Sequence, residues 1–401
     1  MIVMLASMMA LNALAIDSML PAIDDIARDL GEADGNRRQL VIGIFLFAGG
    51  IGCLVPGSFA DRFGRRPILL FSLASYTVLS LVSAFLENFT AMLVVRAMTG
   101  MCVAGLLVTP MAIVRDRYSG DQMARMMSLI SVVFISVPVI APSLGQLILL
   151  FAGWRWIFVA LSAAGAAAAM WIYWRLPETL APENRQLVNV PLIARNMRAG
   201  LFNRAAIGYV AGAALVMGGV FGYINSAQQL FQDNFGIGEE FPLYFGATAA
   251  AIAVSNFVNS RIVEKFGARR VSHTGVLVFV AVSAVQVWSS YEHPGQVEWF
   301  LPLMATNMML LGFLGANFGS IAMQPFAHIA GSASSVQTFV RMLGASCVGI
   351  LIGQAYDGTA QPFAWALLCT SVAALTAVLF SEKGKLFRRL NAPGPRERCL
   401  P

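Results

Sequence analysis

The sequence predicts an all-α integral membrane protein of twelve transmembrane helices. Three observations carry that reading: twelve apolar stretches of bilayer-crossing length, scarcity of charge, and loops that are basic on one side only. Hydrophobic residues make up 58% of the chain and charged residues 12%, where a soluble domain carries roughly 25% charge. A core of that composition cannot cover itself with polar surface, so lipid must be its solvent. Windows of about 20 apolar residues place spans near 3–22, 39–59, 68–87, 90–113, 126–150, 154–175, 205–229, 241–262, 272–291, 299–322, 334–356 and 361–381.

Orientation follows from Lys and Arg. With both termini inside, the inner segments hold Arg62, Arg65 and Arg66, then Arg115, Arg117 and Arg125, then Arg175, Arg185, Arg195, Arg198 and Arg204. The same side holds Arg261, Lys265, Arg269 and Arg270, and a tail with Lys383, Lys385, Arg388, Arg389, Arg396 and Arg398. Only Arg28, Arg37, Arg38 and Arg155 fall outside, and Arg96 and Arg341 fall within spans. The net charge of +6 is thereby accounted for by inner loops meeting anionic lipid, and no nucleic-acid partner is expected.

Taken in order, span one lacks a basic leader and a small-residue cleavage pattern, so it is expected to be a helix of the mature chain. It carries Asp17, the one acid well inside a span. A carboxylate there is costly unless paired, hydrated or protonated, and such residues mark ion or substrate paths. Arg96 in span four lies at matching depth, each residue about six positions from the outer end, roughly 9 Å at helical rise. The pair is expected either to couple proton binding to substrate binding or to form a permanent structural ion pair.

The loop after span two reads Asp61, Arg62, Phe63, Gly64, Arg65, Arg66, behind Gly57. Asp61 is expected to face the start of span eleven at Ser334 and Ser335, where unpaired backbone N–H groups attract an anion, while Arg65 reaches Asp116. Together they would latch the two halves on the inside. In span five, Pro138 and Pro142 remove ladder hydrogen bonds and Gly145 permits close approach. The longest inner loop, 177–204, separates a first six-helix unit (1–176) from a second (205–382), followed by a basic tail (383–401). Glu264, Lys265, Phe266, Gly267, Arg269 and Arg270 repeat the span-two loop at the equivalent place in the second unit. Two parallel six-helix halves around a midplane site are the design of a rocking transporter.

Other chemistry is thin. Cys53, Cys102, Cys347 and Cys369 lie in spans and Cys399 in the tail, without a CxxC. His273, His293 and His328 are dispersed, so no metal is expected, and Gly384–Lys385 lacks the rest of a phosphate loop. No cofactor is implied: energy must come from an ion or substrate gradient. The 20 Met and 27 Phe suit a deformable pocket. Asn12, Asn225, Gln228, Asn256, Phe313 and Asn317 are the polar or aromatic candidates at middle depth. Arg341 in span eleven is expected to snorkel or cap a loop at the inner end, with an anionic substrate or proton-linked water as the other reading.

Here the chain resembles a known family. GSFADRFGRRPIL, Gly57 to Leu69, is similar to the signature loop of the major facilitator superfamily, and Arg96 with Gly100 resembles its second motif. SVPVIAPSLGQ resembles the antiporter motif at Pro142 and Gly145, departing from it at Val137, Ala141 and Gln146. AIDSMLPAI, APSLG, GWRWIF and HIAGSASSV together look like the bicyclomycin-resistance (Bcr/CflA) branch of drug:proton antiporters, with Gln324 in place of its frequent Glu. The resemblance implies a major facilitator fold of two pseudo-symmetric bundles in a bacterial inner membrane. It also implies proton-coupled export of small amphipathic drugs by a chain acting as a monomer. The alternatives at this stage are a proton-coupled transporter of one endogenous metabolite and a non-transporting receptor or scaffold. No nucleophile, base or metal set suggests an enzyme.

Overall fold

The computed structural model describes residues 2–118, 120–180, 185, 203–238 and 240–387. Most of the 177–204 linker and the tail from residue 388, with Cys399, therefore lie outside the described residues. The rest is helical. Span one is α1 (Ile2–Asp17), continued by a short 3-10 turn at Leu20–Ala22 and by α2 (Ile23–Asp29). Pro21 has no N–H to continue the ladder, so it sits where a new helix starts. Span two is α3 (Leu40–Gly52) and α4 (Pro56–Phe63), bent by 47° at their junction. Pro56 opens α4 as Pro21 opens the turn before α2.

The first half continues with α5 (Arg65–Ser83), α6 (Phe89–Arg117), α7 (Gly120–Phe151) and α8 (Arg155–Arg175). Asn88 begins α6 by accepting from the Ala91 N–H, a side-chain cap that replaces the missing helical partner. The second half has α9 (Arg204–Gln229), prolonged by a π-turn to Asn234, then α10 (Phe241–Phe266), α11 (Ala268–Glu292) and α12 (Val297–Met323). It closes with α13 (Ala330–Gln354) and α14 (Gln361–Ser381).

Ten of the described helices are long and apolar enough to cross a membrane, or eleven when α3 and α4 count as one span. The apolar Ser136–Phe151 stretch of α7 is a shorter one, in accord with the twelve expected. Large apolar side chains cover the outside: Phe151 is 85% exposed and Leu243 73%, as a lipid-facing surface requires. Trp174 near the end of α8 and Trp299 near the start of α12 are exposed where aromatic side chains anchor a bilayer interface.

Within the first half α3 packs on α6, and α5 on α6 and α8; within the second, α9 packs on α13, α14 and α12. Between the halves α3 meets α13, and α7 meets α10. The sequence repeat is visible in the backbone. Gly64 ends α4 with φ 107° and Gly267 ends α10 with φ 83°, so each half turns sharply at the same place. That conformation is open essentially to glycine alone.

Candidate functional site

Asp17 is the last residue of α1, 3% exposed, and its Oδ1 accepts no hydrogen bond. Beyond Asp17 the chain stays helical through the turn at Leu20–Ala22 and α2, whose Asp24 meets Arg38 at the end of the bundle. Arg96, 2% exposed, does not pair with Asp17. Its Nη2 donates to the Ala15 carbonyl at 3.0 Å, its Nε to the Val41 carbonyl at 3.1 Å, and its guanidinium lies 4.1 Å from the Phe45 ring centroid. One reason is the helix end: α1 stops at Asp17, freeing the Ala15 carbonyl that the arginine caps, with the dipole of α1 favouring its charge there. The expected ion pair is thus replaced by a capped helix end beside an unpaired carboxyl.

The span-five motif meets the same break. A side chain on Gly145 would bring a Cβ within 1.9 Å of the Ser18 carbonyl oxygen, so only glycine lets α7 approach here. Pro138 and Pro142 lie inside α7 on the approach to that contact. Asp17 therefore sits at a helix break, beside a helix that carries two prolines.

The signature loop forms a network inside the first half. Arg65 Nε donates to Asp116 Oδ2 at 2.9 Å and Arg65 Nη1 to Asp61 Oδ1 at 2.5 Å. Asp61 is thus occupied by Arg65. The side chains of Ser334 and Ser335, to which Asp61 was expected to turn, lie outside the described residues. Arg66 Nη2 donates to the Tyr173 carbonyl at 2.6 Å, Arg62 lies over the Phe63 ring, and Gly57 faces Val108. Sequence reasoning missed Glu178, which accepts from the Arg65 and Arg66 N–H groups and so caps α5. Burial pushes the Glu178 pKa up, but the N–H groups of Leu180, Arg65, Thr179 and Arg66 outweigh it and hold it below the ordinary 4.5. A Cβ on Gly64 would lie 2.3 Å from Glu178 Oε2, a second reason for glycine there.

The second half mirrors this with Glu382, the acid just after α14. It accepts from Arg269 Nε at 2.9 Å and Tyr209 Oη at 2.6 Å, while Arg269 Nη1 donates to Gln324 Oε1 at 2.7 Å. Extending the repeat to the helix ends would have exposed both acids.

The opposite end of the bundle holds contacts between the halves. Arg38 bridges Asp24 of its own half and Asp233 of the other. Asn36 Nδ2 donates to the Tyr356 carbonyl at 2.8 Å, Gln354 Nε2 to the Asn36 carbonyl at 2.6 Å, and Gln229 Nε2 to the Gly35 carbonyl. Sequence reasoning did not single out these residues.

The pocket candidates scatter. Asn317 and Asn259 exchange amide hydrogen bonds at 2.9 and 3.3 Å, tying α10 to α12, so Asn317 is occupied as an interhelical bond. Gln228 Nε2 donates to Gln232 and its Oε1 is buried without a partner. Both amide atoms of Asn225 are buried and unpartnered, beside Gly43 of α3 and Gly349 of α13. Asn12, Asn256 and Phe313 are half-buried. None of the six lines the cavity of about 210 Å³ between α9, α12 and α13, which Arg341, Gln337, Thr338 and Gly319 border. Arg341 lies in the first half of α13 and borders this cavity together with Met323, the last residue of α12.

Two half-bundles, each turning at a repeated glycine loop, with a buried acid at a broken first helix, define a membrane transporter. Residues 5–349 match the family model of the Major Facilitator Superfamily, and the chain belongs to that family. It is accordingly a multi-pass secondary transporter of small molecules and not an enzyme. The chain is 29% identical to the MFS-type transporter YdgK of Bacillus subtilis, over 92% of each protein. It is 27% identical to the bicyclomycin resistance protein homolog of Haemophilus influenzae, over 93% of this chain and 94% of that one. The solved D-xylose-proton symporter superposes with a TM-score of 0.72 at 15% identity, covering 96% of this chain and 99% of that chain, a likeness of fold.

Proposed function

We propose that this protein is a proton-coupled exporter of small amphipathic drugs in a bacterial inner membrane, with both termini cytoplasmic, working by alternating access as a single chain without a cofactor. The observation that carries the reading is Asp17: a buried carboxyl with no cation beside it, at a break in the first helix, under the Gly145 contact of α7. A permanent ion pair would hold one charge state, whereas an unpaired buried carboxyl is free to exchange its proton. Substrate entering the interior favours one charge state of Asp17 and the proton the other, so each displaces its competitor. The α1 break and the α7 prolines let that exchange move one half against the other. On this orientation the Arg38 clasp is the external gate. The name of the bicyclomycin resistance relative supports drugs as the cargo.

The test is accumulation of a diverse panel of antibiotics and dyes in everted membrane vesicles under an imposed pH gradient. Wild type should concentrate several unrelated compounds, and Asp17→Asn should concentrate none while remaining folded. Full gradient-driven accumulation by Asp17→Asn would remove Asp17 from the mechanism.

A further inference from the structure

From the cavity between α9, α12 and α13, we infer an anion subsite: Arg341 receives the acidic group of an amphipathic substrate whose apolar body lies against Val210, Ala213 and Met323. The inference rests on the transport reading above and names one class within its cargo, compounds carrying an acidic group.

Position comes first. Arg341 lies within the apolar stretch Val336–Gln354 of α13, beside a cavity that reaches Met323 at the end of α12. A cation there is costly unless a counter-charge or water meets it. Among the described residues no carboxylate lies within 4 Å of it, and its Nε is buried without a hydrogen-bond partner. Arg96, the other arginine inside a span, is satisfied by two carbonyls and a ring. Arg341 has no such set.

The surroundings fit an amphipathic acid. Opposite the guanidinium stands Gly319, whose missing side chain leaves space: a Cβ there would come within 3.7 Å of Nη1. Gln337, one turn earlier on α13, spends its Nε2 on the Ala322 carbonyl at 3.0 Å, which fixes the amide in the wall. Val210, Ala213, Ala322 and Met323 supply the apolar lining, and Thr338 adds a hydroxyl. A planar guanidinium takes a carboxylate through two parallel hydrogen bonds, which a neutral amide cannot reproduce.

The experiment measures thermal stabilisation of the purified protein in detergent by 2-naphthoate and by 2-naphthamide, matched in shape and differing in charge. Wild type should bind the carboxylate about ten- to a hundredfold more tightly, the range of a charge-assisted hydrogen bond. Arg341→Gln should abolish the preference and keep binding of the amide, and Arg341→Lys should retain the preference in weakened form. Wild type without a preference, or Arg341→Gln with an unchanged one, overturns the subsite. No gradient enters this assay. An Arg341-dependent preference in a protein that fails to accumulate drugs in vesicles would refute the coupling reading and leave the subsite standing.

Discussion

The two ends of the bundle are tied differently. At one end, among the described residues, Arg65 binds Asp61, Asp116 and Glu178 within the first half and the start of the linker, and Arg269, Glu382 and Tyr209 bind one another inside the second half. At the other end, Arg38 with Asp233, Asn36 with Tyr356 and Gln354, and Gln229 with Gly35 join one half to the other. The difference separates two jobs that charged loops perform in a rocking protein. On the proposed alternating-access cycle, bonds within a half survive the movement and keep each bundle rigid, and bonds between halves must break for it to occur.

The largest effect should come from the loop inside the first half. Gly64→Ala forces a side chain into a conformation costing about 1 to 3 kcal/mol and displaces the Glu178 cap as well. Gly267→Ala incurs the backbone cost alone, since nothing lies within 4 Å of its Cβ position. Melting in detergent should therefore show a clearly larger loss for Gly64→Ala. Equal losses would mean that the Glu178 cap adds nothing.

Next in size is the clasp. Arg38→Gln removes a bridge that is partly exposed, and such pairs contribute about 0.2 to 1 kcal/mol, enough for a shift of at most several-fold in population. Asn225→Cys, buried near this interface, should react faster with a membrane-impermeant thiol reagent when Arg38→Gln is added. Arg65→Gln in the same background should leave the rate unchanged. Equal acceleration by both would dissolve the distinction between the two ends.

The smallest effect is that of acid. The Glu178 and Glu382 carboxyls are both held below 4.5: burial raises each, and hydrogen bonds from backbone N–H groups in one case, and from Tyr209 and Arg269 in the other, outweigh it. A depressed carboxyl contributes stability that is fully present above its ordinary pKa and lost as pH falls through the folded value. The melting temperature should thus decline below about pH 4.5, and Glu178→Gln should flatten part of that decline. A decline of the same steepness in the variant would contradict the cap.

Much of this architecture was legible from the chain. Bilayer solvent dictates long apolar helices, and a glycine between acid and bases recurs at Gly64 and Gly267, where the backbone turns with positive φ, so the helices and both loops could be read directly. Partners were harder. Depth along two helices suggested that Asp17 and Arg96 would meet, but depth says nothing of rotation, and a freed helix end competes successfully for an arginine. Asn317 read as a pocket residue because its partner, Asn259, is distant in sequence and equally plain. Arg341 could have been placed better: Gln337, Thr338 and Arg341 are spaced to share one helix face, a pattern more suited to a cavity wall than to a helix end. The Arg38 clasp had no local signal, since its partners lie across the chain.

The central claim, that proton and substrate compete through Asp17, is tested most directly by equilibrium binding of a transported cation, a compound without an acidic group that is favoured by the Asp17 carboxylate, to purified protein across a pH series. Wild-type affinity should weaken as pH falls, by up to about tenfold per pH unit below the pKa of the controlling group. Asp17→Asn should bind with an affinity independent of pH over the same range. A pH dependence of unchanged slope and midpoint in Asp17→Asn would show that another group carries the proton.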